Sequence, residues 1–110
     1  MKTLEQLNEL SENELILAVA IKAGIKHDVC EQTGIVDVDA ERGLSFERYN
    51  PLTNPSHYMP IAIEHDITIY IDNGKVKCFD PVGEIDTGWL LKAQTGRAVC
   101  IAFLLMETDK

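Results

Sequence analysis

The sequence predicts an α+β fold: an antiparallel sheet of about four strands, near residues 35–39, 44–49, 67–72 and 75–80, packed with helices near 12–23, 54–65 and 96–107. Three observations carry that expectation. Two apolar runs, Leu15–Ile21 and Ala98–Met106, contain no polar residue and lack the alternation of a half-buried strand. The segments between them do alternate. Asn73-Gly74 sits between two alternating runs and supplies the positive-φ pair that a two-residue hairpin turn requires. At 110 residues the chain is read as one domain, 1–110, large enough to bury a core without covalent staples.

The first helix begins at Ser11, where Ser11 and Glu14 have the spacing of a capping box, and it ends at Gly24, a residue suited to the C-terminal cap. Thr3 and Gln6 point to a shorter turn before it. "IVDVD" sets Val36 and Val38 against Asp37 and Asp39, and "LSFERY" sets Leu44 and Phe46 against Ser45 and Glu47. With "AERG" as a turn between them, these are two antiparallel strands.

In "ITIYIDNGKVKCFD" the two-residue loop pairs Asp72 with Lys75, Ile71 with Val76 and Ile69 with Cys78. Ile67, Ile69, Ile71, Val76 and Cys78 then share one face, while Thr68, Tyr70, Lys75, Lys77 and Phe79 share the other. Cys78 is thereby a core residue. "TGRAVCIAFLLME" closes the fold as a helix with Thr95 as its expected N-cap. Two helices without a polar face need cover on all sides, which a sheet between helix layers or a second copy of the chain would supply. A homodimer is therefore expected. The segment "DTGWLLKAQ", with Trp89, has no clear assignment.

Eighteen acidic against ten basic residues leave a net charge of −8, which on average repels a phosphate backbone, so no direct nucleic-acid binding is expected. Acidity suits solubility and basic partners. Three cysteines at wide spacing, Cys30, Cys78 and Cys100, argue against a disulfide framework and for a reducing cytoplasm. The first ten residues lack the apolar core of a signal peptide, and no apolar run approaches the ~20 residues of a membrane span.

Candidate chemistry is sparse. His27 and Cys30 form one H-x-x-C pair, but a structural zinc site needs a second short-spaced pair. His57 and His65 are eight residues apart, about 12 Å of helical rise, too far to share an ion. "DVDAERG" mimics a calcium loop at Asp37, Asp39 and Glu41, but Gly43 comes one position late and Arg48 stands where glutamate is required. Cys30 with His27 or His57, and Asp28 or Asp66, can be drawn as a nucleophile set, yet no nucleophile elbow or phosphate loop accompanies it. No catalytic residue, metal or cofactor is assigned.

The stretch "RYNPLTNPSHYMPIAIEHDI", Arg48–Ile67, holds the remaining signal. A residue before proline is pushed toward extended geometry, which is what an N-cap needs, so Asn54-Pro55 starts a helix. Tyr58, Met59, Ala62 and Ile63 are expected to face inward, with His57 and Glu64 outward. Pro60 interrupts the helix and predicts a kink or an irregular first turn. The helix start would offer free amides to a polar or anionic ligand, with Tyr49, Asn50, Thr53, Asn54, His57 and Tyr58 as candidate ligand-binding residues.

The same stretch resembles small uncharacterised proteins of tailed phages and prophages, of the NinX type and the related phage α-β-α sandwich domain. Their Y/F-x-P-S/L-T-D/N motif is matched by Tyr49, Asn50, Pro51, Thr53 and Asn54, and the following run, often G-P-I-I-E, by Pro60, Ile61, Ile63 and Glu64. An early apolar helix at Leu15–Ala20 and a late one from Arg97 to Met106 keep the same order. The tryptophan usual after the D/N position is replaced by Pro55-Ser56, and the hairpin lacks another, while Trp89 comes later. The resemblance implies a phage or prophage origin and helices layered on an antiparallel sheet; it brings no catalytic residue.

Two functions are expected in consequence. One is a non-catalytic phage accessory protein that binds a host protein in the host cytoplasm, an antiviral defence component being the narrower case. The alternative is a binder that sequesters a small ligand such as a nucleotide. A small hydrolase using Cys30 or His57 ranks third.

Overall fold

The computed structural model describes residues 3–24, 27–29, 36–39, 46–82 and 84–106, with side chains in 3–24, 49–82 and 84–106. The α+β class holds, and the helices and strands expected from alternation and capping all form, with two short strands added. Helix α1 (Leu4–Asn8) realises the short turn hinted at by Thr3 and Gln6, which form a reciprocal capping box. Helix α2 (Glu12–Ala23) has the Ser11–Glu14 box in full, and Gly24 ends it in the left-handed region at φ 71°.

The strands form two sheets rather than one. Strands β1 (His27–Val29), β2 (Val36–Asp39) and β3 (Phe46–Arg48) pair antiparallel in that order. Strands β4 (Thr68–Asp72), β5 (Lys75–Phe79) and β6 (Leu90–Leu91) form the second sheet, in the order β4-β5-β6. Each expected hairpin has thus recruited one further strand. At three and two residues, β1 and β6 are too short for alternation to betray them. The turn expected at residues 40–43 lies outside the described residues.

The register of the β4–β5 hairpin is the one derived from Asn73-Gly74: Asp72 opposes Lys75, Ile71 opposes Val76 and Ile69 opposes Cys78. Both turn residues have positive φ, 52° and 78°. Ile67, Val76 and Cys78 are buried on the helix side. Ile69 is only half-buried and Ile71 is 47% exposed, so β4 projects past the helices.

Helix α3 (Pro55–Glu64) starts as expected, with Asn54 extended and its side chain accepting from Ser56 N–H. It runs continuously through Pro60. That residue is exposed, so water can serve the Ser56 carbonyl that proline leaves without a helical donor. The inward stripe is corrected: Ile61 and Ala62 are buried and Tyr58 half-buried, whereas Met59 and Ile63 point outward. Positions 58, 61, 62 and 65 have the i, i+3, i+4, i+7 spacing of one helical face, and the expected set had omitted 61. His65 closes that stripe by stacking on Phe103 at 4.8 Å between ring centroids.

Helix α4 (Thr95–Leu105) is the hub of the core, in contact with α1, α2, α3, β5 and β6. Every residue from Ala98 to Phe103 is at most 1% exposed. Burying a side chain the size of Phe103 or Ile101 stabilises by about 1.5–3 kcal/mol. The chain itself therefore encloses this helix, without the second copy its composition had suggested. Helix α2 is less complete, for Ile21 remains 62% exposed. Thr95 is not the N-cap: a 3-10 turn at Lys92–Gln94 precedes it, and its hydroxyl donates back to Lys92 O at 2.7 Å. Among the described residues no helix is long and apolar enough to cross a membrane.

Candidate functional site

The six residues of the α3 approach are close in the chain but divide between core and surface. Tyr49 is 3% exposed, and its ring packs on His57 at 5.0 Å. His57 Nδ1 accepts the main-chain N–H of Asn50 at 2.9 Å, which requires that nitrogen to be unprotonated. Asn50 Oδ1 accepts from Leu52 N–H, an Asx turn that bends the chain toward α3. Thr53 is exposed and Tyr58 packs on the core.

The amides of the α3 start are already engaged. Pro55 has none, Ser56 N–H bonds to Asn54 Oδ1, and the N–H groups of His57 and Tyr58 both bond to Asn54 O. An anion placed there would have to displace these bonds, unlike one at an open helix start. Tyr49 Oη is buried with no hydrogen-bond partner among the described residues. Burial, followed by the nearby Cys100, raises its pKa.

The turn is clamped from its other side by α4. A Cβ on Gly96 would lie 2.3 Å from Leu52 O, so only glycine permits this approach. One turn later, Cys100 Sγ lies 3.6 Å from Pro51 O. Tyr49, Asn50 and His57 are thus brought together as a folding joint between two helix starts.

The two described thiols, Cys78 and Cys100, are buried and so poor nucleophiles. Burial, with Asp86 adding to it, pushes Cys78 up to about 12; burial likewise raises Cys100, against a smaller opposing effect of Arg97. Among the described residues no three His, Cys, Asp or Glu side chains gather as a metal site. The Cys30 half of the H-x-x-C pair lies outside the described residues.

A second constellation was not picked out from the sequence. On the outer face of the β4–β6 sheet, Trp89 and Tyr70 are 47% and 46% exposed, with rings 5.7 Å apart. Lys77 Nζ sits 5.0 Å from the Trp89 ring centroid and 5.9 Å from that of Phe79, and 3.7 Å from Asp86. These are cation–π distances. Lys75 and Arg97 border an adjoining cleft with Asn8, Trp89, Leu91 and Gln94. Three of the ten basic residues, Lys75, Lys77 and Arg97, therefore gather around one exposed tryptophan of an acidic chain.

The loop holding Trp89 is rigidly tied. Thr87 is buried; its hydroxyl accepts from Cys78 N–H at 3.0 Å and donates to Gly88 O at 2.9 Å, while its own N–H bonds to Cys78 O. Asp86 accepts from Gly88 N–H, and Gly88 turns at φ 75°. Hairpin alternation had already put Tyr70, Lys77 and Phe79 on one face; Trp89 was missed because β6 gives no periodic signal. Comparison with protein families, curated proteins and solved structures returned no match.

Proposed function

We propose that this chain is a non-catalytic phage or prophage accessory protein that binds a host protein in the host cytoplasm. The observation that carries the reading is the Tyr70–Lys77–Trp89 face, where two half-exposed aromatic rings and a lysine stand on a braced sheet. Aromatic residues flanked by cations are the anchors that dominate protein interfaces. A basic patch on a chain of net charge −8 favours a partner with a local acidic surface, even if the remaining acidic surface selects basic neighbours. The phage origin is supported by the likeness of residues 49–64, and inhibition of a defence component is the form of host binding we favour. The engaged His57 nitrogen and buried thiols supply no nucleophile set among the described residues, which supports a binding role over hydrolysis.

The test is affinity capture from host lysate with the wild-type chain and with Trp89→Ala. The expected result is a stoichiometric partner retained by the first and lost by the second, with unchanged far-UV circular dichroism in both. A partner bound equally by Trp89→Ala would move the site elsewhere; no partner at all would remove the reading.

The cleft beside Trp89 favours a second reading, a binder of a planar anion such as a nucleotide, with Lys75 and Arg97 facing phosphate and the indole available for stacking. Nucleotide-dependent quenching of the single tryptophan would support it, and a flat response at millimolar nucleotide would sink it.

A further inference from the structure

The free side of β4 combines three features. In a two-residue hairpin the residues flanking the turn exchange both main-chain bonds, so Asp72, Tyr70 and Thr68 bond inward to β5. The N–H and C=O groups of Ile69 and Ile71 therefore point away from the sheet. Among the described residues no hydrogen bond reaches them from that side. The strand Thr68–Asp72 also lacks the usual protections of an edge, having no proline, lysine or bulge. Alongside it runs a shallow groove between α3 and β4, lined mainly by Met59, Ile63, Ile67, Ile69 and Pro81, with the carboxylate-bearing Asp66 among them. Ile63 is 71% exposed and Ile71 47%.

We propose that this edge is filled by the same edge of a second copy, β4 pairing antiparallel with β4 about Tyr70. The choice of occupant rests on the strand itself, which is self-complementary in that register. Tyr70 meets its counterpart, Ile69 meets Ile71, and Thr68 meets Asp72, so the one charge in the strand faces a hydroxyl and no like charge. Ile69 and Ile71 form the two bonded pairs, giving four main-chain hydrogen bonds between copies. The two-fold axis stands perpendicular to the sheet, so the helix side of one copy continues as the helix side of the other. The two grooves then face each other, and Ile63 and Ile71 gain apolar cover. On the opposite side Tyr70 brings its neighbouring Trp89, 5.7 Å away, toward the axis, and the dimer presents a doubled aromatic face.

Analytical ultracentrifugation of the full chain tests the pairing, with a cross-link fixing the register. Tyr70 and its counterpart form a non-bonded pair with Cα atoms about 4.5 Å apart, within reach of a disulfide. In a Cys30→Ser background, Tyr70→Cys is expected to give a covalent dimer on mild oxidation, whereas Thr68→Cys, opposite Asp72, gives none. Wild type is expected to sediment as a dimer at high micromolar concentration and Ile71→Lys as a monomer with unchanged circular dichroism. A monomeric wild type overturns the proposal, as does a dimer that survives Ile71→Lys without a Tyr70→Cys cross-link. Should Ile71→Lys fail to fold, the paired cross-linking result decides. A monomer whose β4 instead takes up an extended segment of another protein also overturns self-pairing.

Discussion

Lys22 Nζ donates to the main-chain oxygen of Phe103 at 2.5 Å while lying 4.9 Å from the centroid of that residue's own ring. It also donates to Met106 O, so one ammonium closes the C-terminus of α4 from the last turn of α2. The arrangement places a cation at the negative end of the helix dipole and adds a donor at the last carbonyls, Phe103 O sharing it with Met106 N–H at 3.2 Å. Burial lowers the Lys22 pKa, the cost of holding the charge there.

Lys22→Met keeps much of the apolar stem and removes the donor. We expect it to destabilise by about 1–3 kcal/mol, measured by urea unfolding. A change no larger than that of an ordinary surface substitution would show that the cap contributes nothing.

Gly96→Ala sets a methyl 2.3 Å from Leu52 O, a main-chain atom that cannot swing aside. The 50–54 turn or the start of α4 must move. A loss of more than about 3 kcal/mol, or failure to fold, is expected from thermal melting. A near-neutral result would mean the two helix starts are not clamped together.

Tyr49→Phe is expected to be neutral or mildly stabilising, within about 1 kcal/mol, because the buried hydroxyl has no partner among the described residues. A loss well beyond that range in chemical denaturation would reveal a hydrogen bond to the hydroxyl.

Cys78 and Cys100 give stability a defined pH dependence. Their native pKa values are raised, Cys78 to about 12, so above about pH 8.5 the unfolded thiols release protons that the native ones retain. The unfolded state then binds fewer protons and stability falls as pH rises, by up to about 1.4 kcal/mol per unit for each thiol. Unfolding midpoints between about pH 7 and 10 should decline, and less steeply in Cys78→Ala. Iodoacetamide should leave both thiols intact in the native protein and modify both in guanidinium. Rapid native labelling of Cys78 would contradict its burial.

Much of the fold was legible because its signals are local. Ser11 with Glu14, Asn54 with Pro55, and Asn73 with Gly74 each settle a backbone conformation within a few residues, and all three behave as expected. The misreadings concern matters that neighbours in space decide. Thr95 lost its cap role because a 3-10 turn continues upstream, and α3 rotated so that Ile61, not Met59 or Ile63, meets the core. Strands β1 and β6 exist because a longer neighbour offers an edge, a fact absent from three or two residues of sequence. Of the α3 approach, the residue types were legible as polar and aromatic. Whether Asn54 and His57 serve a ligand or the turn depends on partners at Ser56, Asn50 and Tyr49 that spacing alone does not assign.

The central position of α4 also orders events during synthesis. Helices α1, α2 and α3 and the β4–β5 hairpin all precede the element on which they pack, so their apolar faces leave the ribosome uncovered. Collapse awaits the emergence of Phe103, and Lys22 waits some eighty residues for the carbonyl it closes. A chain halted before α4 therefore presents apolar surface that the finished fold covers.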